Sequence, residues 1–406
     1  MLDQTLTLIL AGGAGTRLSP LTAERAKPAV PFGGKYRIVD FTLTNCLHSG
    51  LRRVLVLTQY KSHSLQKHLR DGWSIYNSEL GEYITPVPPQ MRTGDNWYAG
   101  TADAVFQNLY LLQRSGARLA LVLSGDHIYR MDYAALLDFH RENRAEATVA
   151  CMPVPLDQAH QFGVVTVEQD GRISHFEEKP EAVPPLADDP DHALASMGVY
   201  LFDMELLINA LGDDHHREQS SRDFGRDILP RLAGGHRVLA YRFGEARGRV
   251  TPDRYWRDVG TLDSFYRANM DLLKPVPPLD LYQQDWPIRT YQGQTPPART
   301  VPGESGDEGI FINSIIAGGT VIAGGRVQHS ILFPEVYVGD EATVEESLLF
   351  DGVQVGDRAQ IRRCIVDKNV HIPAGERIGY EPARDRERFG VSAEGIVVVP
   401  KGYRFE

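Results

Sequence analysis

A glycine-rich turn carrying an arginine follows almost directly on the first residues of the chain. The apolar run at residues 6–10 predicts a buried strand, and residues 12–18 read Gly-Gly-Ala-Gly-Thr-Arg-Leu. Glycine backbones approach anionic oxygens closely, and the Arg17 guanidinium adds a fixed charge that suits phosphate. The turn lacks the Gly-Lys-Ser/Thr of a P-loop and the spacing of dinucleotide folds. It predicts a polyphosphate site of another kind, although glycines also form simple tight turns.

A second cation, Lys27, stands in the word Arg-Ala-Lys-Pro-Ala about ten residues beyond Arg17. Pro28 disfavours helical backbone at the residue before it, so we expect an extended loop at Lys27. Arg17 and Lys27, two cations beside one glycine turn, could then contact the same triphosphate.

Carboxylates suited to a metal ion occur at two places. Asp126 follows the apolar run 119–123 and a glycine, and Asp258 lies in Tyr-Trp-Arg-Asp-Val-Gly-Thr. Mg²⁺ takes few protein carboxylates and completes its octahedron with water and phosphate oxygens. Asp126 is therefore a candidate metal ligand, with a helix cap or a turn as the alternative, and Asp258 could complete the site, with a turn as its alternative. His127 is expected to pack beside the site.

A hairpin is predicted over residues 164–180, turning at Asp170 and Gly171. It would deliver Glu178 and Lys179 to a strand end, where the lysine could hold a monophosphate. A solvated strand edge is the alternative.

Apolar runs at residues 6–10, 54–57, 119–123 and 148–152 alternate with helical patterns, one of them over 101–112. This alternation predicts an α/β sandwich with a mainly parallel sheet. In such folds ligands bind at the carboxyl ends of the strands, where the chain places Gly12, Gln59 and Asp126.

Length and charge bound the class of protein. At 406 residues with 42% hydrophobic residues, the chain suits two domains, and its net charge of −10 argues against a nucleic-acid surface. No secretory signal or apolar run of membrane-spanning length is present, so we expect no membrane association. Three scattered cysteines exclude a disulfide framework and predict a reducing cytoplasm.

The composition changes after Lys274. Residues 275–307 are rich in Pro, Gln, Thr and Gly, which predicts an extended linker between domain 1–274 and domain 308–406. Beyond it, residues 336–344 and 353–361 match at a spacing of 17, and Ile372 falls 17 residues after Val355. Aliphatic residues recur at six residues within each repeat, as in a parallel β-helix of hexapeptides. No catalytic histidine constellation accompanies these repeats, so a structural and regulatory role is expected rather than acyl transfer.

The order of motifs along nearly the whole chain resembles that of the bacterial ADP-glucose pyrophosphorylases, or glucose-1-phosphate adenylyltransferases. The motifs are at residues 12–18, 25–29, 32–41, 96–98, 100–105, 125–129, 176–180, 195–198 and 256–261. The resemblance implies a Rossmann-like nucleotidyltransferase domain with a mixed, mainly parallel sheet, followed by a left-handed parallel β-helix. It also implies a homotetramer.

The implied reaction transfers the adenylyl group of ATP to α-D-glucose 1-phosphate, which yields ADP-glucose and pyrophosphate as the first committed step of glycogen synthesis. Arg17 would neutralise the leaving phosphates, Lys27 would stabilise the reacting ones, and Asp126 with Asp258 would hold Mg²⁺. The nucleotide-binding residues would be Gly12, Gly13, Ala14, Gly15, Gln90, Gly100 and Thr101. The glucose 1-phosphate-binding residues would be Tyr98, Gly163, Glu178, Lys179 and Ser196.

Effector control is where the chain departs from the family pattern. Glu24 replaces the lysine found in members activated by fructose bisphosphate, Pro31 replaces a histidine, and Ala14 and Ala99 stand where arginines are frequent. Arg25 and Arg37 remain as candidate effector contacts. We expect altered or weak regulation by sugar phosphates, pyruvate, AMP or phosphate. Two alternatives stay open at this point: a nucleotidyltransferase for another nucleotide or sugar phosphate, and a non-catalytic regulatory subunit of the same fold.

Overall fold

The computed structural model describes residues 1–13, 15–90, 97–245, 248–250 and 254–405. The strands of its N-terminal part are β1 (Thr5–Ala11), β2 (Pro31–Phe32), β3 (Tyr36–Arg37), β4 (Arg53–Thr58), β5 (Tyr83–Val87), β6 (Leu119–Ser124), β7 (His127–Tyr129), β8 (Ala147–Pro155), β9 (Gly163–Val167), β10 (Ile173–Glu178), β11 (His192–Asp203), β12 (Val238–Arg242) and β13 (Trp256–Asp258). The helices are α1 (Ile38–His48), α2 (His63–Trp73), α3 (Thr101–Phe106), α4 (Leu109–Ser115), α5 (Tyr133–Glu142), α6 (Leu156–Ala159), α7 (Met204–His215), α8 (Leu229–Gly235) and α9 (Leu262–Met270).

One mixed sheet organises the N-terminal part. Its strand order is β10-β9-β11-β6-β1-β4-β5, and β8 joins β11 to β12. Strand β1 runs parallel to both β4 and β6, whereas β11 is antiparallel to β6 and β8. The predicted runs at 6–10, 54–57, 119–123 and 148–152 lie inside β1, β4, β6 and β8. The α/β class with a mixed, mostly parallel sheet is therefore confirmed.

Two local expectations were wrong. The helix predicted over 101–112 is interrupted between α3 and α4, because buried Asn108 donates its amide to Ala104 O (2.8 Å) and Tyr98 Oη (3.0 Å). The loop at Lys27 is a 3₁₀ turn, Lys27–Ala29, rather than extended. Proline at the second position of the turn is tolerated there because its fixed φ suits a helical first turn.

The C-terminal part is a left-handed parallel β-helix. Its elements are β14 (Arg299–Val301), β15 (Ile310–Ile312), β16 (Ile315–Ile316), β17 (Val321–Ala323), β18 (Arg326–Gln328), β19 (Ile331–Leu332), β20 (Tyr337–Val338), β21 (Thr343–Glu345), β22 (Leu348–Leu349), β23 (Gln354–Val355), β24 (Gln360–Arg362), β25 (Cys364–Val366), β26 (His371–Ile372), β27 (Arg377–Ile378), α10 (Pro382–Arg388), β28 (Gly390–Val391) and β29 (Val397–Val399).

Each coil of the β-helix advances the chain by 17 residues. Val338 pairs with Val355, and Val355 with Ile372, in one of three parallel sheets. The turns repeat too: Gly324, Glu341, Arg358 and Gly375 all have φ between 55° and 71°. The predicted repeat and its six-residue spacing are confirmed.

The two parts share one apolar core. Leu18, Val30 and Phe32 of the N-terminal part pack in the same buried cluster as Phe350 and Val398 of the β-helix. Phe265 of α9 meets Phe350 with ring centroids 6.5 Å apart. The β-helix is therefore packed directly against the N-terminal part through a shared apolar core.

The division at 274 and 307 stays a prediction. Within 275–307, Trp286 is buried and its ring lies 4.7 Å from that of His48, while β14 already pairs with β17 of the next coil.

Cys46, Cys151 and Cys364 are buried, and none of the three forms a disulfide among the described residues. Among the helices in the described ranges, none combines the length and apolar character needed to cross a bilayer.

Candidate active site

The glycine turn leaves the carboxyl end of β1, at the edge of the sheet predicted for ligands. Gly15 has a φ of 62°, and its carbonyl accepts a 2.8 Å hydrogen bond from the Thr22 hydroxyl. A Cβ on Gly12 would lie 3.1 Å from Cβ of Gln59, whereas one on Gly13 would meet nothing within 4 Å. The turn therefore presents bare backbone on one side and packs against β4 on the other. Ala14 lies outside the described residues.

Lys27 bridges the two predicted metal ligands. Its ammonium lies 2.7 Å from Asp126 Oδ2 and 3.1 Å from Asp258 Oδ1, and its own side chain is only 9% exposed. Lys27 thus meets two aspartates that lie 99 and 231 positions away from it along the chain. The structure brings this predicted set together.

A short two-stranded ribbon places the second aspartate. Strand β13 pairs antiparallel with β7, so that Asp258 stands opposite His127, the residue after Asp126. Ser124, the last residue of β6, donates a 2.8 Å hydrogen bond to Asp126 Oδ1. Asp126 therefore lies in the bend between β6 and β7, and Asp258 is the last residue of β13. Neither is a helix cap, and their role as metal ligands stays a prediction.

Opposite charge decides the protonation state at this point. Burial would raise the pKa of Asp126, but Lys27, His127 and the Ser124 hydrogen bond together hold it well below its usual range. Burial likewise opposes the charge on Lys27, yet attraction to Asp126 and Asp258 raises its pKa above the ordinary value. The lysine is a permanent cation and Asp126 a permanent anion near neutral pH.

Arg17 approaches Asp258 at Gly260. It is exposed, in a 3₁₀ turn over Thr16–Leu18, and it lines the same cleft as Lys27. A Cβ on Gly260 would lie 2.9 Å from Asp258 Oδ1 and 3.2 Å from Arg17 Nη2. Gly260 therefore leaves open the space between the side chains of Arg17 and Asp258.

The cleft between the glycine turn and α3 encloses about 480 Å³, which suits a nucleotide-sized ligand. Predicted residues that line it are Gly12, Gly13, Gly15, Arg17, Lys27, Tyr98, Gly100, Thr101 and Asp126. Gln90 is exposed outside this lining and donates to Pro88 O at 2.8 Å. Its proposed contact with adenosine stays a prediction.

Asp223 was missed from the sequence. Its Oδ2 accepts the Thr101 hydroxyl at 2.9 Å, its Oδ1 accepts Gly225 N at 2.9 Å, and it lines the cleft. It caps a π-helical turn, Phe224–Ile228. The word Ser-Arg-Asp-Phe-Gly reads as an ordinary helix cap, so nothing in it indicated a binding residue.

Of the predicted sugar-phosphate residues, Gly163, Glu178 and Ser196 lie in a row across three neighbouring strands, whereas Tyr98 lines the nucleotide cleft. Glu178 pairs with Gly163, and Val164 pairs with Ala195, the residue before Ser196. A Cβ on Gly163 would lie 2.8 Å from Glu178 Oε2, so this row admits no side chain there. The row lies beside the nucleotide cleft rather than in its lining.

Gly225 connects this row to the cleft. A Cβ at that position would lie 2.6 Å from Glu178 Oε2 and 3.3 Å from Asp223 Oδ1. Lys179 continues the row, with a φ of 54° and its ammonium 3.6 Å from Glu178 Oε1. Burial raises the pKa of Glu178, and Lys179 only partly offsets that effect.

The predicted effector residues lie at the junction with the β-helix instead. Arg25 is paired with Asp367, and Arg37 donates to Ser64 Oγ at 2.8 Å. Glu24, one of the departures from the family pattern, accepts a 2.6 Å contact from Lys401. Pro31 is buried in β2, and Ala99 lines the cleft.

Comparison with known proteins gives the following matches. The nucleotidyl transferase family model matches residues 6–275, and the GlmU-like C-terminal hexapeptide model matches residues 296–399. The chain is 60% identical over 404 residues to glucose-1-phosphate adenylyltransferase 2 of Vibrio cholerae, covering 100% of this chain and 99% of that one. It is 62% identical over 404 residues to the protein of that name in Vibrio parahaemolyticus, covering 100% of each. Glucose-1-phosphate adenylyltransferase of Methylococcus capsulatus is 48% identical over 396 residues, covering 98% of this chain and 93% of that one.

Proposed function

Since this chain belongs to the glucose-1-phosphate adenylyltransferase family, we propose that its cleft transfers the adenylyl group of ATP to α-D-glucose 1-phosphate. The products are ADP-glucose and pyrophosphate, and we assign the ADP-glucose to glycogen synthesis. The observation that carries this assignment is the Lys27 ammonium held between Asp126 and Asp258 beside the glycine turn.

The reaction brings two anions together. A phosphate oxygen of glucose 1-phosphate attacks the α-phosphorus of ATP in line, and the bond from that phosphorus to the oxygen bridging to the β-phosphate breaks. The departing pyrophosphate keeps the electron pair. Positioning and charge neutralisation supply most of the rate in such transfers, so no enzyme nucleophile is required.

The cations divide this work. Arg17, exposed at the open side of the glycine turn, is placed to neutralise the β- and γ-phosphates that leave. Lys27, buried between the carboxylates, is placed to stabilise the reacting phosphates. The backbone of Gly12, Gly13 and Gly15 would wrap the triphosphate, because bare N–H groups bind phosphate oxygens without steric hindrance.

The donor set fits a hard divalent cation. Asp126, His127 and Asp258 each offer one ligand atom, and these atoms lie within 4.8 Å of one another. Mg²⁺ prefers the carboxylate oxygens and leaves its remaining positions to water and phosphate. We propose that Asp126 and Asp258 hold it, with His127 beside them. Mg²⁺ bound there supplies positive charge at the transferring phosphoryl group.

The row formed by Gly163, Glu178 and Ser196 is the proposed glucose 1-phosphate subsite. Lys179 supplies a cation for the phosphate, and Glu178 supplies an acceptor for sugar hydroxyls. Tyr98, whose hydroxyl accepts a 3.0 Å hydrogen bond from Asn108, closes the side shared with the nucleotide cleft.

Pyrophosphate release with glucose 1-phosphate and ATP, GTP, UTP or dTTP in turn tests the assignment. We expect turnover with ATP at least tenfold above that with the other nucleotides. A clear preference for another nucleotide, or no turnover by the purified chain with any of them, would contradict it. The second result would favour the non-catalytic subunit.

We further propose regulation at the junction of the two parts. Arg25 is buried and Arg37 and Lys368 are half-buried; burial lowers the pKa of Arg37 and of Lys368, and the charge of Arg25 lowers both further. Arg25 Nη1 has no hydrogen-bond partner among the described residues. Such a cluster suits an anionic effector. A kinetic scan with fructose 6-phosphate, pyruvate, fructose bisphosphate, AMP and phosphate tests it, and we expect weak activation by the bisphosphate because Glu24 is negative.

Assembly and location complete the proposal. An apolar strand at the free end of the β-helix is formed by Ile310, Phe311 and Ile312, each at least 40% exposed. An exposed apolar strand favours contact with another subunit, which supports the proposed homotetramer.

The three buried thiols suit a reducing cytoplasm. Light scattering of the purified chain measures the number of subunits.

A further inference from the structure

The loop that carries Lys27 is attached to the β-helix by a buried ion pair. Arg25 Nη2 lies 2.8 Å from Asp367 Oδ1 and 2.9 Å from Asp367 Oδ2. The two side chains are 6% and 1% exposed, although 342 residues separate them in the chain. Arg25 stands two residues before Lys27, at the start of the segment that turns into the cleft.

Asp367 is itself fixed on the β-helix. It directly follows β25, its backbone N–H donates to Val399 O at 3.0 Å, and its Oδ1 accepts the N–H of Lys368 at 2.7 Å. A carboxylate held in this way on a stacked coil has little freedom to follow movements of the loop. It therefore acts as a fixed point to which the loop is bound.

From this geometry we infer that Asp367 is a positioning residue for adenylyl transfer, acting through Arg25 to set where Lys27 stands between the carboxylates. The inference rests on the proposed function of Lys27. Its physical basis is that an ammonium shared by two carboxylates is effective only within a narrow range of positions, and misplacement by about 1 Å can cost about 100-fold in rate.

Neighbouring contacts support the assignment. Ala26, between Arg25 and Lys27, donates its N–H to Lys61 O at 3.2 Å, and Ala29 N donates back to Ala26 O at 2.9 Å. Both hydrogen bonds are made by Ala26, the one residue between Arg25 and Lys27, so this short connection is ordered. We expect it to pass a shift of the arginine on to Lys27.

A matched control lies one residue earlier on the same loop. Glu24 pairs with Lys401 at 2.6 Å, also joining the loop to the C-terminal part, but the two side chains are 61% and 42% exposed. Exposed ion pairs contribute little to stability or geometry because water screens them. Lys401→Gln therefore removes a charge pair between the same two parts without disturbing a buried one.

The test compares Asp367→Asn with Lys401→Gln in steady-state pyrophosphate release. We expect Asp367→Asn to lower kcat by about 10- to 100-fold, with KM for glucose 1-phosphate changed by less than about threefold. Lys401→Gln should stay within about twofold of the unsubstituted chain. In a Lys27→Gln background, Asp367→Asn should lower kcat by less than about threefold further, because residues that act as a unit are not additive.

Two results would overturn the inference. One is an unchanged kcat in Asp367→Asn, and the other is that Asp367→Asn lowers kcat by the same factor in the unsubstituted chain and in the Lys27→Gln background. If Asp367→Asn does not fold, the double variant Arg25→Met/Asp367→Leu decides, since an apolar pair can replace a buried ion pair without loss of stability. It should fold and lose kcat to the same extent, and full activity would overturn the inference. Activity of the unsubstituted chain tests the proposed function separately.

Discussion

Lys27→Met separates the two effects of the lysine, because they have opposite signs. In the structure the ammonium is the counter-ion of both aspartates, at 2.7 Å and 3.1 Å. During turnover it stabilises the reacting phosphates. Its removal should therefore slow the chemistry while making the vacated carboxylate pair a stronger binder of Mg²⁺.

The magnitudes follow from these contacts. Loss of one preorganised donor from a transition state costs about 2.7–4 kcal/mol, or about 100- to 1000-fold in kcat. Each hydrogen bond to a charged group contributes about 1.5–3 kcal/mol. In the unsubstituted chain the Lys27 ammonium competes with Mg²⁺ for the two aspartates. If its removal ends a competing interaction of about 1.5 kcal/mol, the affinity of the aspartate pair for Mg²⁺ rises by about tenfold.

Pyrophosphate release measures the first effect, and calorimetric titration of nucleotide-free protein with Mg²⁺ measures the second. Lys67→Met is the matched control, because Lys67 is exposed on α2 and pairs with Asp71 four residues on, at 3.0 Å. It should change neither quantity. A kcat within about threefold of normal, or Mg²⁺ affinity that stays equal or falls, would refute the roles given to Lys27.

Other substitutions test the remaining residues of the site. Asp126→Asn should keep the fold, as judged by its melting temperature, yet lower kcat by at least about 1000-fold, and near-normal turnover would contradict its role as a ligand. Lys179→Ala should raise KM for glucose 1-phosphate by about 10- to 100-fold with kcat little changed, which corresponds to one charge-assisted hydrogen bond, and an unchanged KM would exclude that contact. Because burial raises the pKa of Glu178, this carboxyl takes up a proton at higher pH than an ordinary glutamate as pH falls. KM for glucose 1-phosphate should therefore rise as the pH is lowered from neutrality, more steeply than in Glu178→Gln, and identical pH profiles would refute this assignment.

Local patterns were sufficient to predict the elements that carry the site. The glycine turn, the strand before Asp126 and the hairpin ending at Glu178 all follow from apolar runs and turn residues a few positions apart. The 17-residue coil was equally accessible, since Val338, Val355 and Ile372 repeat in the printed sequence. Such features depend on neighbours along the chain.

Pairings between distant segments could not be predicted in this way. Asp258 reaches Asp126 only because β13 pairs with β7 in one register, and that register is set by packing. Asp223 reads as a helix cap, yet tertiary folding brings it to Thr101, 122 residues away. The residues offered Asp258 as a possible metal ligand and the resemblance to a family strengthened that role, but nothing in the sequence indicated that Arg25 is bound to Asp367.

The ion pair between Arg25 and Asp367 also bears on when the protein first becomes competent during its synthesis. The arginine leaves the ribosome 342 residues before its partner. At about 5–20 residues per second, the interval is on the order of tens of seconds. Throughout that time the face of the N-terminal part that will meet Phe350 and Val398 has no cover. Until the last coils of the β-helix are made, the nascent chain therefore lacks the residues that cover this apolar surface in the folded protein.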